Sequence, residues 1–398
     1  MKNFRLNTAI ICVGILTLVG CQNGSDKAKT SEIEELYTAV KTEYAPDSRV
    51  AIFDIETTAL NNSFVLKGMT NLPKALSTFK NQLADNDITF VDSVQVLPSS
   101  KLDGKTQGII ALSAANLRSK PKHSAELVTQ GTLGMPVTIY KKQNGWYLIQ
   151  TPDQYIAWVD SGGVVAMDSN TYTQWTQSDK LIYTQTFGSS FAEKDAAGAV
   201  VSDLVAGNVL KLIEDQGDFY QVEFPDKRIA FIPKTQAMPY QDWLASLSQT
   251  KQSLVETSKT LMGLPYLWGG TSPKGVDCSG FTKTVFFLNG LIIPRDASQQ
   301  IHQGILVDQD KDFSKLQPGD LLFFGKKATE TSKERIIHVG MWIGNNEFIH
   351  SAGSVHISSV DKDAPNYDLY NINRYIRTKR LLNQDTKGII DLQETKLF

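Results

Sequence analysis

The chain is poor in the residues that build covalent or metal-held frameworks. Its 398 residues include three cysteines and five histidines. Three thiols cannot make a disulfide scaffold, and no cysteine cluster exists to hold a structural zinc. Charge of one sign is missing as well. Forty Lys and Arg stand against 42 Asp and Glu, a formal net charge of −2. No basic arm or acidic tail breaks that balance, so composition gives no pull toward nucleic acid or an acidic membrane. The apolar run from Ala9 to Val19 falls short of the roughly 20 residues that a spanning helix needs. What remains is 41% hydrophobic and 21% charged. That is the composition of a globular protein, long enough for roughly two to four domains.

Lys2 and Arg5 precede the Ala9–Val19 run, the layout of a signal peptide. The run ends in Leu18-Val19-Gly20-Cys21, which resembles the bacterial lipobox. That resemblance implies that residues 1–21 are signal peptide and lipobox. It also implies that Cys21 is lipidated and anchors the exported protein to a membrane facing the cell wall. Gln22 after the cysteine implies the outer membrane of a Gram-negative bacterium. The competing reading is a signal peptide cut elsewhere, with Cys21 there by chance. With Cys12 removed and Cys21 acylated, Cys278 is left as a free thiol in an exported protein.

Residues 22–30 are small and polar, a tether. Residues 31–100 read as a small α+β module. Ile33, Leu36, Tyr37 and Val40 have helical spacing, Pro73–Leu83 predicts a second helix, and Arg49–Ile55, Ser63–Gly68 and Ile88–Val94 predict strands. No chemistry is visible there, which suits a spacer or docking domain. An internal repeat follows. Gly134–Val159 aligns without a gap on Gly207–Ile232, with Gly134/Gly207, Tyr147/Tyr220, Pro152/Pro225, Asp153/Asp226 and Ala157/Ala230 identical. Short alternating strands between Gly, Pro and Asp turns predict two small β-barrels. They resemble bacterial SH3 modules and are placed at 108–165 and 178–236. Tyr155 of the first repeat is Arg228 in the second. A rim aromatic either stacks on a ligand or is plain surface, and alone it favours plain surface. A helical stretch is expected from Tyr240 to about Met262, with Trp243, Leu247, Leu254 and Leu261 in the core.

Three patterns in residues 250–383 carry chemistry. In the first, a Gly- and Pro-containing loop leads to Asp277-Cys278-Ser279-Gly280-Phe281, and the chain then turns apolar to Leu288. Asp277 is placed to cap a helix with Cys278 in its first turn. There the partial positive charge of the helix end favours a thiolate, the reactive form of a cysteine nucleophile, and a backbone N–H can face an oxyanion. In the second, Pro318-Gly319 turns into a buried strand, Leu321–Phe324. In the third, β-formers flank Gly344-Asn345-Asn346, a hairpin signal. With those three residues as the loop, Ile343 pairs with Glu347 and Gly340 with His350. His338 then lies diagonal to His350 on the same face, and Gly340 leaves room between the rings. His338 can serve as base and His350 can fix its tautomer. A zinc site built from the thiol and both imidazoles is the rival, and the helix-start placement of Cys278 favours a nucleophile.

PYLWGG, DCSGF, LQPGDLLFF, IIHVGMWIG and EFIHSAG, in this order, resemble the NlpC-type papain-like cell-wall peptidases. The resemblance implies an α+β multidomain protein: a papain-like catalytic domain preceded by two SH3-like β-barrels and the N-terminal module. It implies Cys278 as nucleophile, His338 as base and His350 as the orienting residue, with no cofactor or metal. With SH3 modules in front, the chain resembles the γ-D-glutamyl-L-diamino acid endopeptidases. These cut murein stem peptides and grip a free N-terminal L-Ala with help from the first SH3 module. By that resemblance Asp277, Tyr266 and Ser279, with Glu126 and Tyr155 of the first module, bind substrate. Ser298 either lines the groove or caps a helix. His123, His302 and His356 match no catalytic position. The expected partners are peptidoglycan stem peptides and the membrane that holds the lipid, and the expected state is a monomer. Three other readings remain: an endopeptidase on cross-linked murein, a non-catalytic wall-binding lipoprotein, and an acyltransferase. The polar segment Gly325–Arg335 reads as a mobile loop at the groove edge.

Overall fold

Ile33, Tyr37 and Val40 sit on one stripe of helix α1 (Gly24–Tyr44) because a helix returns to the same face every three or four residues. The structure, a computed structural model, describes residues 24–61, 63–384 and 387–398; the lipobox and Cys21 lie outside the described residues. No helix among the described residues is long and apolar enough to cross a membrane. Chain contacts divide the protein into two units. One holds the chain up to Pro46 and Phe53–Gln95, the other Asp47–Ile52 and Val96–Phe398.

In the smaller unit, α1 and α2 (Pro73–Asp85) accompany a three-stranded sheet of β1 (Phe53–Leu60), β2 (Ser63–Thr70) and β3 (Phe90–Val96). Tyr37, Phe53 and Phe79 form its aromatic centre, with ring centroids 5.5–6.0 Å apart. The strand expected from Arg49 starts only at Phe53. Arg49–Ile52 belong to the larger unit, where Arg49 O accepts from Ile156 N at 2.7 Å and Val50 O from Gln150 Nε2 at 3.0 Å. Those carbonyls already have partners and join no ladder.

The larger unit begins with the repeat, which folds as two seven-stranded sheets. The first covers strands from Gln107 to Met167, the second from Lys180 to Pro239. Each closes on a core of alternating apolar residues, such as Leu117, Ile139, Ile149 and Val159 in one and Leu181, Leu210, Val222 and Ile232 in the other. Gly134 and Gly207 both have φ near +87°, a region that L side chains avoid. A Cβ on Gly134 would also lie 2.0 Å from Val209 O. Helix α3 (Ser169–Gln177) links the barrels, with Asp168 Oδ1 accepting from Thr171 N at 2.8 Å.

The continuous helix expected from Tyr240 is two helices, α4 (Tyr240–Ser246) and α5 (Lys251–Thr260). Gln249 takes φ +42°. Thr250 then restarts the helix with a reciprocal cap to Ser253. Trp243, Leu254 and Leu261 are buried as expected. Helix α6 (Cys278–Phe287) and the short α7 (Ala297–Gln300) follow, and later α8 (Leu369–Asn373). A six-stranded sheet completes the domain: β4 (Ile305–Asp308), β5 (Leu321–Lys326), β6 (Arg335–Gly344), β7 (Glu347–Ala352), β8 (Ser354–Ser359) and β9 (Tyr375–Arg380). Its spatial order is β4-β9-β5-β6-β7-β8, antiparallel throughout. Leu321–Phe324 are wholly buried, the reason β5 reads as an unbroken apolar run. Gly325 and Lys326 extend that strand, so the polar connection between β5 and β6 is shorter than the sequence suggests. It is exposed from Lys327 to Glu334.

The β6–β7 hairpin differs in detail from expectation. Its turn is the two-residue Asn345-Asn346, at φ +55° and +59°, and Gly344 pairs with Glu347. An irregularity at Ile343 absorbs the extra residue and restores the Trp342–Phe348 and Met341–Ile349 pairs. Continuing that register sets Gly340 opposite His350, so the face reserved for the imidazoles is unchanged.

Candidate active site

Asp277 caps α6. Its Oδ1 accepts from Gly280 N at 2.7 Å, and its Oδ2 from Gly269 N at 3.0 Å. Cys278 is the first helical residue. Gly280 is required here, because a Cβ would lie 1.9 Å from Gly270 O. The helix packs on β6, and the Cys278 sulfur shares one apolar cluster with Phe281, Val339 and Met341. Backbone N–H groups of Val339 and Ser279 point at the sulfur. Burial nevertheless pushes the thiol up to about 12, with the Asp277 carboxylate adding to the rise. The helix end alone therefore does not yield the thiolate that the sequence suggests. Desolvation of a charge at this depth outweighs a terminal partial charge.

The two imidazoles meet as the hairpin register requires. His338 Nε2 and His350 Nδ1 are 2.8 Å apart. A Cβ on Gly340 would press on the Phe348 ring at 2.8 Å and on His350 Cβ at 3.2 Å, so glycine leaves room for the neighbouring strand to seat His350. His350 Nε2 lies 3.0 Å from Ser358 Oγ and 3.9 Å from Asp368 Oδ2. The Asp368 carboxylate on that side favours the tautomer with the His350 proton on Nε2, donated to Ser358 Oγ. His350 Nδ1 is then an acceptor for His338 Nε2–H, and His338 Nδ1 keeps its lone pair. Burial lowers His338 to about 3, with Arg374 and His356 adding to the fall. Burial and then His338 lower His350 to about 2. Burial leaves both rings neutral, and one nitrogen of each is hydrogen-bonded to the other ring.

An open groove of about 740 Å³ runs over the sulfur. Of the residues singled out in sequence, it brings together Cys278, Asp277, Ser279, Tyr266, Ser298, Tyr155 and Glu126. His338 is buried, although Ile336 and Ile337 of the same strand line the groove. Tyr155 is not plain surface. It is 6% exposed, belongs to the first barrel's core, and its hydroxyl bonds to Asp296. Ser298 lies inside α7, whose cap is Asp296. Asp277 and Ser279 are committed within the protein: Arg295 donates from Nη2 to Asp277 Oδ2 at 2.5 Å and from Nη1 to Ser279 Oγ at 3.0 Å.

Several groove or site residues escaped the sequence reading. Trp268 Nε1 donates to Glu126 Oε1 at 2.8 Å, fixing that carboxylate. The motif around Trp268 was visible, but a contact 142 residues away has no local signature. His302 lines the groove, and the His356 ring lies 4.4 Å from that of His350. Ser358 and Arg49 carried no functional signal, one a serine in the next strand, the other an arginine taken as the start of a strand.

Known proteins show the same organisation. Residues 263–374 match the NlpC/P60 family and residues 113–165 the bacterial SH3 domain. The chain is 29% identical over 272 residues to the gamma-D-glutamyl-L-lysine dipeptidyl-peptidase of Bacillus cereus (strain ATCC 10987 / NRS 248). That match spans 65% of this chain and 76% of the relative. It is 31% identical to the protein of the same name from Bacillus subtilis (strain 168), over 56% of this chain and 71% of that relative. Among solved structures it resembles an NlpC/P60 family protein from Bacillus cereus ATCC 10987. The TM-score is 0.57 and the identity 26%, covering 69% of this chain and 99% of that one. With a relative above 30% identity matched over more than two thirds of its length, and the motifs assembled around one groove, the chain belongs to the NlpC/P60 family of cysteine peptidases that act on peptidoglycan.

Proposed function

We propose that the protein hydrolyses the γ-D-glutamyl–diamino acid bond of peptidoglycan stem peptides that carry a free N-terminal L-Ala, with Cys278 as nucleophile. One observation carries the reading. A sulfur at the first position of α6 lies against β6, where His338 keeps Nδ1 as an unprotonated acceptor because His350 Nδ1 holds its other nitrogen and Ser358 in turn holds His350 Nε2. Both partners start neutral, so attack and proton transfer are coupled. The Cys278 sulfur bonds to the γ-carbonyl carbon of D-Glu as His338 Nδ1 takes the thiol proton. Backbone N–H at the start of α6 faces the oxyanion. The C–N bond then breaks, and His338 returns the proton to the leaving amine. Water, deprotonated by His338, cleaves the thioester and restores the thiol.

The named relatives support the bond assigned. Glu126, exposed in the groove and steadied by Trp268, is a carboxylate for the substrate's terminal ammonium, and Tyr155 lines the same groove. Cys278→Ala should lose at least about a thousandfold in kcat while its melting temperature stays near that of the wild type. Turnover of a defined tripeptide by that variant at the normal rate would remove the nucleophile. Acetylating the peptide's amine should raise KM steeply, and indifference to it would favour cross-linked murein as substrate.

The protein works as an exported monomer, lipidated on Cys21 in the outer membrane of a Gram-negative cell. The lipobox motif, Gln22 and the polar tether after it support export and lipidation. Metabolic labelling with palmitate should mark the wild type and not Cys21→Ser; equal labelling of both would end this assignment.

A further inference from the structure

Behind the two imidazoles, on the side away from His338, His350 Nε2 faces Ser358 Oγ at 3.0 Å and Asp368 Oδ2 at 3.9 Å. Ser358 stands on β8, the strand paired with that of His350. Asp368 is the residue before α8 and is anchored by backbone and side chain. Its N donates to Ser359 O of β8 at 3.0 Å. Its Oδ1 accepts from Asn371 N at 2.9 Å, and its Oδ2 accepts from Asn371 Nδ2.

The carboxylate is 15% exposed, yet no lysine or arginine among the described residues lies within ion-pair distance of it. Arg374 shares its asparagine but is engaged elsewhere. Nε and Nη2 of Arg374 both donate to Asn371 Oδ1, at 3.0 and 2.7 Å, and its guanidinium lies over the Tyr370 ring. A shielded carboxylate ordinarily takes a fixed cation, because its lost hydration is otherwise uncompensated. Here the one titratable group in reach is His350, which burial keeps neutral.

What such a carboxylate decides is the position of one proton. Ser358 Oγ can donate or accept, so it suits either neutral form of His350. A carboxylate only accepts, and it favours His350 Nε2–H. That choice passes through both rings. With the proton on Nε2, His350 Nδ1 accepts from His338 Nε2–H, and His338 Nδ1 can take a proton. With the proton on Nδ1, His350 donates to His338 Nε2. His338 then carries its own proton on Nδ1 and cannot deprotonate a thiol. Other neighbours do not make this choice. His356 Nδ1 lies 2.8 Å from Ser354 O, a pure acceptor that holds its proton there, and Phe324 and Phe348 present only ring carbons. Arg374 and His356 oppose positive charge on both rings, and Asp368 is the group that counters them at His350.

We propose that Asp368 is a positioning residue of the catalytic pair: its carboxylate fixes the His350 tautomer and thereby makes His338 Nδ1 the base for Cys278. This rests on the function proposed above. Asp368 touches no substrate and moves no proton. It acts through His350, with Ser358 Oγ as the acceptor between.

The test reads the protons directly, with 15N in the imidazole rings of the full chain. In wild type at pH 7, His350 and His338 should both be protonated on Nε2. A wild-type His350 protonated on Nδ1 overturns the proposal. Asp368→Asn keeps an acceptor for Asn371 N and removes the charge. It should make Nδ1–H appear on both rings and lower kcat about a hundredfold, with KM within about twofold. Asp368→Ser also caps a helix without a charge, and it decides the matter if Asp368→Asn fails to fold. Ser358→Ala should keep both tautomers and cost about tenfold or less in kcat, the scale of one neutral hydrogen bond. If Ser358→Ala moves the protons and the Asp368 variants do not, the hydroxyl sets the chain and the proposal falls. It falls equally if the Asp368 variants lose kcat with both rings unchanged, or keep the wild-type kcat. Those outcomes leave the proposed function standing. Wild type that cleaves no stem peptide sinks that function, while the ring protons still judge Asp368.

Discussion

The two barrels are copies of one repeat, yet they use the same positions for different ends. In each, a Pro-Asp pair makes the turn before the last repeat strand. In the first barrel, Asp153 accepts from Thr151 Oγ1 at 2.6 Å and pairs with Lys283 of α6. Those side chains are 2% and 10% exposed. In the second, Asp226 pairs with Arg228 two residues on, at the surface. Tyr155 points its hydroxyl at Asp296 beside the groove, while Arg228, its counterpart, lies over Phe224 at 4.5 Å and donates to Val201 O. The turn is local chemistry and recurs in both copies. What the turn's side chains do depends on which neighbour packs there.

The sharpest way to break this comparison is to remove the two aspartates. Asp153→Ala strands a buried ammonium that burial already holds below its ordinary value. It should cost about 3–5 kcal/mol in denaturant unfolding. Asp226→Ala removes an exposed pair and should cost under about 1 kcal/mol. Equal losses would mean that the first barrel is no more tied to the catalytic domain than the second. The next test is functional. Tyr155→Phe keeps the ring in the barrel core and loses only the hydroxyl, so kcat/KM should fall about tenfold. Arg228→Ala should leave kcat/KM unchanged, and a matching fall there would erase the distinction.

A smaller effect separates both barrels from the catalytic domain. The two histidines whose burial lowers their pKa, His338 and His350, both lie in the catalytic domain. Their folded values sit below the unfolded value near 6.5, so the stability they confer is complete above that pH. It is lost as pH falls from about 6.5 toward 3. Between pH 7 and 6 the loss should stay below about 1 kcal/mol per ring. Acid unfolding should therefore start in the catalytic domain, readable by hydrogen exchange at pH 5. A barrel that exchanges first would contradict this. For the same reason kcat/KM should not drop at the ordinary histidine pKa.

Much of the catalytic domain was legible because its signals are short-range. Asp277 before an apolar run announced a capped helix, and Asn345-Asn346 between β-formers announced a hairpin whose period places His338 and His350 on one face. The loop length was misread by one residue, and the irregularity at Ile343 cancelled the error. The break between α4 and α5 was missed because polar residues at 248–251 fit either a helix or a cap. Taken alone Tyr155 favoured plain surface, and only the family resemblance moved it to the substrate; its burial in the barrel core and its bond to Asp296 depend on contacts that the local sequence does not contain.

The sequence by itself determined the order of modules, the duplicated barrel, the thiol at a helix start and the paired imidazoles. Periodicity, capping and turn chemistry act over a few residues and can be read along the chain. Only the tertiary structure decided that burial keeps the thiol and both imidazoles neutral. It alone put Lys283 on Asp153, Trp268 on Glu126 and an arginine from the α1–β1 stretch beside Ser298. Desolvation and contacts across a hundred residues or more depend on what packs alongside, and no stretch of sequence contains its neighbours.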